Sequence, residues 1–437
     1  MVKNTEQIFK PFFHKIEPAK TKVIRSVGLF YIYLFLRKEG FQNYLQKRLK
    51  DKRVRLKVKY PIWELIISII LHILDGDKRL HHYNRNPNSE LFKKLFNQKS
   101  MPGSSTILKS LKRNPHLGRI LESILFRISL LKIIDYCQAN NNKRITIDVD
   151  QTAREIHGKQ AGVSSGYSAG KRNAKLYQIR IYTIRELKLT LKVRLLHGSA
   201  HSSFSFEKEI RFISKILEKV GITGLFVGDS GFISGAVCNY LEESRHYFVF
   251  AEKQRKDVKR RGKYAKMKRF NRTGTVEIKE GRKQITSRYK YQFREIYVRV
   301  HSPDGQLWFD FASDQFTNVF VTNMKCKAER IYRIYKEHAV IETIIEELKN
   351  DFGAGLAHCN NFEVNSAMTA CCAIAYNLKN QFLVKTGIKL KENEKIKLST
   401  FQSLWLHTPG IIVKNENRSI LRIAAERFKL FQKIKVA

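Results

Sequence analysis

The chain has 437 residues, with 82 Lys and Arg against 39 Asp and Glu, a formal charge of +43, and its length suits about two or three domains. A charge excess of that size serves no purpose against a neutral substrate such as a sugar, and it argues for a polyanionic partner, DNA or RNA. A membrane span is not expected, because the apolar run over residues 29–36 is short and that over residues 60–74 is interrupted by Glu64.

The start of the chain shows no signal-peptide pattern, since residues 1–10 are polar and mixed in charge. The six cysteines have no Cys-x2-Cys spacing, which predicts free thiols in a reducing cytoplasm rather than zinc or a disulfide framework. Residues 1–140 read as helical. Apolar segments over residues 27–38 and 63–74 predict two helices, the second ending before Gly76, and residues 89–96 predict a third opened by an Asn-Pro-Asn turn. Pro102-Gly103 followed by Ser104-Ser105-Thr106 predicts a turn with a hydroxyl cap, then a basic helix from Ile107 to Arg113. That pattern has two readings: the recognition half of a helix-turn-helix, or one more helix of a small bundle. A longer apolar helix over residues 116–136 leads to the polar break Asn140-Asn141-Asn142.

Arg144-Ile145-Thr146-Ile147-Asp148-Val149-Asp150 is the clearest strand. Ile145, Ile147 and Val149 alternate on one face, which leaves Thr146, Asp148 and Asp150 on the other. Aspartate is a poor strand former, so the pair marks either a frayed strand end or a ligand site. Residues 158–173 read as a flexible Gly and Ser segment ending in Lys171-Arg172. Within it, Gly162-Val163-Ser164-Ser165-Gly166 matches a nucleophile-elbow pattern but lacks the buried strand before it and the helix after it. A hairpin is predicted from residues 177–184 and 187–196 across Arg185-Glu186, then a helix over residues 206–220 stopped at Gly221.

Leu225-Phe226-Val227-Gly228-Asp229 reads as a strand buried on both faces and ending on a carboxylate, either a helix cap or part of a site at the carboxyl edge of a sheet. One more core strand follows at residues 247–251. Residues 253–272 then hold eleven Lys or Arg in twenty positions, Arg260 and Arg261 among them, a run expected along a phosphate backbone. Alternating segments at residues 284–289, 294–300 and 307–311 predict a β-rich insertion, in which Trp308 is either buried or stacks on an unpaired base. Residues 320–323 return to the core.

Residues 332–351 predict one helix ended by a left-handed Gly353, with Ile341, Ile345, Leu348 and Phe352 as its buried stripe. Tyr335, His338, Glu342 and Lys349 form a second column on that helix. It reads as a solvated face of weak ion pairs or as a surface for phosphate and metal. Residues 361–383 predict a long apolar helix. Residues 385–437 are basic and partly helical, with a turn at Thr408-Pro409-Gly410, and suit contacts to DNA or to a second subunit.

Tyr335, Glu342 and Lys349 stand at the gaps of the signature Tyr-x2-Arg-x3-Glu-x6-Lys, and the chain resembles the DDE-type insertion-sequence transposases of the cut-and-paste group that carry it. His338 stands where those proteins have Arg, and imidazole lacks the fixed charge and bidentate fork of a guanidinium. The resemblance implies an α/β fold: an RNase H-like core with a β-rich insertion, preceded by an all-α DNA-binding region. The expected organisation is a helical DNA-binding region at 1–140, core at 141–254, basic β-rich insertion at 255–318, core with the third carboxylate at 319–385, and a basic carboxyl-terminal region at 386–437. It also implies Asp150, Asp229 and Glu342 as the catalytic carboxylates, holding Mg²⁺ or Mn²⁺ in a two-metal site. In the family the first aspartate is followed closely by Thr, which favours Asp150-Gln151-Thr152 and leaves Asp148 as a stand-in or supporting group. Tyr335, His338 and Lys349, with Lys171, Arg172, Arg260 and Arg261, are the expected DNA contacts. The implied activity is metal-dependent phosphodiester hydrolysis at transposon ends and strand transfer into target DNA, by a homodimer on terminal inverted repeats, in a bacterial cytoplasm at the nucleoid. Two other readings share the charge: a DNA-binding protein derived from a transposase but without catalysis, and a structure-specific nuclease of the same fold.

Overall fold

The alternation of Ile145, Ile147 and Val149 does build the central strand. A computed structural model describes residues 23–49, 58–168, 171–253, 258, 268–269, 276–283, 285–300, 317–387, 396–415 and 418–432. In chain order, β1 (Val23–Ile24) precedes helices α1 (Gly28–Lys38), α2 (Phe41–Arg48), α3 (Ile62–Asp75), α4 (Ser89–Leu95), α5 (Ser104–Lys112) and α6 (Leu117–Ala139). The first half of the sheet region holds β2 (Arg144–Glu155), β3 (Ser164–Ser168), β4 (Lys171–Ile184), β5 (Leu189–His197), α7 (Phe206–Lys219), β6 (Thr223–Gly228), α8 (Gly235–Glu243) and β7 (Tyr247–Ala251). Then come β8 (Lys268–Arg269), β9 (Val276–Arg282), β10 (Arg294–Val300), β11 (Thr317–Thr322), α9 (Ala328–Lys336), α10 (Val340–Asn350) and α11 (Phe362–Thr386). The chain closes through α12 (Leu398–Phe401), β12 (Gly410–Asn415), β13 (Arg418–Ile423) and α13 (Ala425–Gln432).

β2 pairs antiparallel with β4 and parallel with β6, which in turn runs parallel to β7. The outer edge of β4 is shared, with β3 pairing as far as Leu176 and β5 from Tyr177 onward. On the other side β11, β10, β9 and β8 continue the sheet antiparallel, so the described strands of the insertion extend the core sheet. The order β5-β4-β2-β6-β7, with α7 and α8 as the crossovers, is that of an RNase H-like core within a mixed α/β fold.

Both faces of the sheet are covered. Ile145, Ile147, Val149 and Phe226 pack with residues of α6, α7 and α8 on one side, while Leu225, Val227 and Val249 pack against Ala328 and Ile331 of α9 on the other. β6 is therefore buried on both faces, as its continuous apolar run predicts. Thr146, Asp148 and Asp150 share the α9 side, where Asp148 is 1% exposed. The amino-terminal helices share one core with α11 and with residues near the carboxyl terminus such as Leu406 and Phe431. α3 and α11 are buried nearly all round, which explains apolar stretches too continuous for a surface helix. α5 buries Ile107 and Leu111 in this core and leaves Lys109, Lys112 and Arg113 exposed. Its first N–H is met by the Asn84 side chain at 2.8 Å, where a hydroxyl cap is the expectation. No helix among the described residues is long and apolar enough to cross a membrane.

Three expectations need correction. Residues 164–168 form β3, paired to β4, where a flexible segment is expected. Gly166 and Gly198 allow the backbones to approach, since a Cβ on Gly166 would lie 2.4 Å from the Gly198 carbonyl oxygen. Residues 285–289 are not a strand; the Thr286 N–H donates to the Tyr289 carbonyl at 3.0 Å and closes a turn. The predicted helix over 332–351 is two helices, α9 and α10, joined by a 3₁₀ turn at Glu337–Ala339. Residues 307–311, Trp308, Arg260 and Arg261 lie outside the described residues, as do the side chains of Lys171 and Arg172.

Candidate active site

Strand register brings the first two carboxylates together. Val149 and Gly228 are the last paired residues of β2 and β6 in their parallel ladder. Asp229 follows the end of β6, whereas β2 does not end at Asp150 as the sequence suggests but runs on to Glu155, with Asp150 paired opposite Ile181 of β4, so the two aspartates stand side by side where the parallel ladder ends. Asp150 is mostly buried and its Oδ1 accepts the Gln151 N–H at 2.6 Å. Burial, then the charges of Asp229 and Glu342, push its pKa up to about 6, while the Gln151 N–H and His338 pull the other way.

α9 and α10 bring the remaining groups. The Tyr335 hydroxyl donates to Asp229 Oδ1 at 3.4 Å, and its ring lies 4.2 Å from that of Phe320, centroid to centroid. Burial and then the Asp229 charge drive its phenol well above the usual range, so it stays a neutral donor. Glu342 projects from the first turn of α10 and is exposed. The predicted stripe of Ile341, Ile345, Leu348 and Phe352 is buried beneath it. α10 ends as the sequence predicts, with Gly353 at φ +81° and the Ala354 N–H donating to the Leu348 carbonyl at 2.9 Å.

Lys349 and His338 leave the column read from the sequence. Lys349 Nζ turns onto β2 and donates to the Ala153 carbonyl at 2.9 Å and the Thr152 hydroxyl at 3.1 Å. His338 is 7% exposed, and its Nδ1 lies 2.8 Å from Asp148 Oδ1. The same carboxylate accepts Arg185 Nε at 2.9 Å and Arg185 Nη2 at 2.5 Å. Asp148 is therefore engaged on both oxygens, whereas Asp150 faces open space. The 3₁₀ turn supplies the rotation that sends His338 inward while Glu342 stays out.

Open space beside the two aspartates forms a cleft of about 740 Å³. Its walls include Asp150, Asp229, Ser165, Ser199, His201 and Ser202. The loop that bounds it is pinned by Arg180, a fully buried side chain of β4. Arg180 donates to the carbonyls of Phe204 at 2.8 Å and Ser202 at 2.9 Å, and to Gln151 Oε1 and Glu209 Oε2 at 3.1 Å each. Gln151 completes the tie through Ala200, whose carbonyl accepts its side-chain amide at 2.8 Å. Sequence reasoning missed Arg180, Arg185 and this loop; an Arg amid the apolar alternation Leu176-Tyr177-Gln178-Ile179-Arg180-Ile181-Tyr182 was the available signal. Among the described residues no three His, Cys, Asp or Glu side chains are gathered closely enough to hold a metal ion.

Asp150 and Asp229 thus stand on neighbouring strands where their parallel ladder ends, and Glu342 stands on the first turn of a following helix. The family described as Transposase DDE domain group 1 matches residues 21–430, and the chain belongs to that family. Among solved structures the chain is similar to the piggyBac transposase in a cryo-EM synaptic complex with hairpin DNA, at 10% identity over 89% of this chain and 82% of that one, with a TM-score of 0.43. No curated protein matches it at a significant level.

Proposed function

We propose that this transposase cuts phosphodiester bonds at the ends of a mobile element and joins the freed 3′ ends to target DNA. The observation that carries the reading is the Asp150–Asp229 pair, side by side where the parallel ladder of β2 and β6 ends, with burial and its neighbours' negative charge raising the Asp150 pKa to about 6. Such a pair is costly alone and is relieved by a cation, and all-oxygen donors suit Mg²⁺ or Mn²⁺. Asp150 and Asp229 would hold such ions, with Glu342 drawn in as the third carboxylate, and two ions there would supply an activated oxygen nucleophile and stabilise the leaving oxygen of an in-line displacement. Tyr335 holds a neutral hydroxyl at Asp229 and orients that carboxylate. The 740 Å³ cleft lined by backbone, serines and His201 admits a strand beside the carboxylates. The excess of positive charge supports DNA as the partner, with Lys171, Arg172, Arg260 and Arg261 as backbone contacts and a homodimer bringing two ends together.

The test uses purified protein and labelled duplex bearing the DNA ends that flank its gene, with and without Mg²⁺ or Mn²⁺, following end cleavage and joining to a plasmid. Metal-dependent cleavage and joining support the transposase reading. Cleavage without joining, on ends and unrelated branched DNA alike, favours a structure-specific nuclease. Tight end binding with no cleavage in either metal favours a DNA-binding protein without catalysis.

A further inference from the structure

We infer that Asp148, Arg185 and His338 form a positioning clasp that holds the joint of α9 and α10 and so governs where Glu342 stands relative to Asp150 and Asp229, and that His338 acts through Asp148 and not on DNA. The inference rests on the proposed metal-holding role of Asp150, Asp229 and Glu342. Its geometry is independent of it.

Asp148 lies two residues before Asp150 on β2, 1% exposed, so it cannot reach the cleft that Asp150 faces. Its two oxygens take a bidentate grip from Arg185, in the turn between β4 and β5, and Oδ1 also takes His338 Nδ1 at 2.8 Å. Arg185 goes further: its Nη1 donates to the Ile334 carbonyl at 2.9 Å and to Glu337 Oε2 at 3.1 Å. Ile334, Glu337 and His338 all fall at the junction of α9 and α10, where the helix changes to 3₁₀ geometry. One buried carboxylate thus holds the joint between the helix that presents Tyr335 and the helix that presents Glu342. A buried charge is tolerated only when paired and hydrogen-bonded, and here the pairing spans strand, turn and helix. Removing groups that fix where ligating residues sit typically costs about 10–100-fold in metal affinity or activity. Arg at position 338 would place a second guanidinium against a carboxylate that Arg185 already grips bidentately. His supplies one directional N–H in a smaller space.

The test measures Mn²⁺ affinity of the full chain, from loss of the free-ion electron paramagnetic resonance signal, beside metal-free affinity for the end duplex and the melting temperature. Asp148→Ala and His338→Phe are expected to weaken Mn²⁺ binding about tenfold or more with end affinity within about twofold. His338→Asn, which restores a donor near the Nδ1 position, is expected to recover most of that loss. Arg185→Gln removes the clasp from the turn side and is expected to show the same tenfold loss, which keeps the test decisive if Asp148→Ala does not fold. Loss of end affinity in His338→Phe with unchanged Mn²⁺ binding overturns the inference and makes His338 a DNA contact. Asp150→Ala is the control. Mn²⁺ binding lost there but kept in every clasp variant overturns the clasp alone, and Mn²⁺ binding kept in Asp150→Ala overturns both the clasp and the metal-holding role it rests on.

Discussion

Lys349 reaches from the helix that carries Glu342 to the strand that carries Asp150 and donates to the Ala153 carbonyl at 2.9 Å. Burial lowers its ammonium pKa, and its hydrogen bonds to Thr152 and Ala153 make it a brace between α10 and β2. Lys349→Met is expected to destabilise the DNA-free protein by about 1.5–3 kcal/mol, the usual range for hydrogen bonds from a charged donor. Urea denaturation checks this. A lysine that only gripped phosphate would leave the denaturation midpoint unchanged.

Lys379 and Glu347 form a buried ion pair between α11 and α10, with Lys379 also donating to the Ile396 carbonyl at 2.9 Å. Removing one partner of such a pair costs about 3–5 kcal/mol, and replacing both by apolar groups is often neutral. Lys379→Met is therefore expected to lower the chemical denaturation midpoint sharply, and Lys379→Met with Glu347→Leu to recover most of it. A double-mutant cycle reads the coupling directly.

Glu64 lies within the apolar helix α3 at 5% exposure, and burial pushes its pKa up to about 7, opposed by a hydrogen bond from Gln98. A carboxyl whose pKa is higher folded than unfolded favours folding while it is protonated. That contribution is complete below the unfolded value of 4.5 and is lost as pH rises through about 7. Glu64→Gln is expected to raise the melting temperature at pH 8 and to leave it nearly unchanged at pH 4.5, checked by thermal melts across that window.

Gly231, two residues past Asp229, touches the loop that walls the cleft. A Cβ there would lie 2.1 Å from Ser202 Oγ, and Arg180 holds the Ser202 carbonyl at 2.9 Å, so the loop cannot retreat freely. Gly231→Ala is expected to cost about 1–3 kcal/mol as an overpacking change. Adding Ser202→Gly makes room for the new methyl and is expected to restore the melting temperature.

The sequence made the two central strands legible, though not that β2 runs on to Glu155, and it hid the helix joint. Ile145, Ile147 and Val149 alternate because one face of β2 meets α6 and α7, and Leu225, Phe226 and Val227 run unbroken because both faces of β6 are covered. Those patterns are local, so Asp150 and Asp229 could be read from them. Residues 332–351 contain no Pro or Gly, and nothing local announces the break at Glu337–Ala339. It coincides with the hold of Asp148 and Arg185, which lie far away in the chain, so helical periodicity predicts an outward His338 where the structure turns it inward. β3 was hidden for a related reason. Its Gly and Ser have no strand preference of their own, and its pairing comes from β4.

The most direct measurement is single-turnover cleavage of the labelled end duplex in Mg²⁺ by the near-isosteric variants Asp150→Asn, Asp229→Asn and Glu342→Gln. Each is expected to bind the end within about twofold of wild type and to cleave slower by about three orders of magnitude or more, the scale of losing a metal-centred transition-state interaction. Wild-type cleavage in any one of the three would contradict the assignment of that carboxylate, and wild-type cleavage in all three would contradict the site.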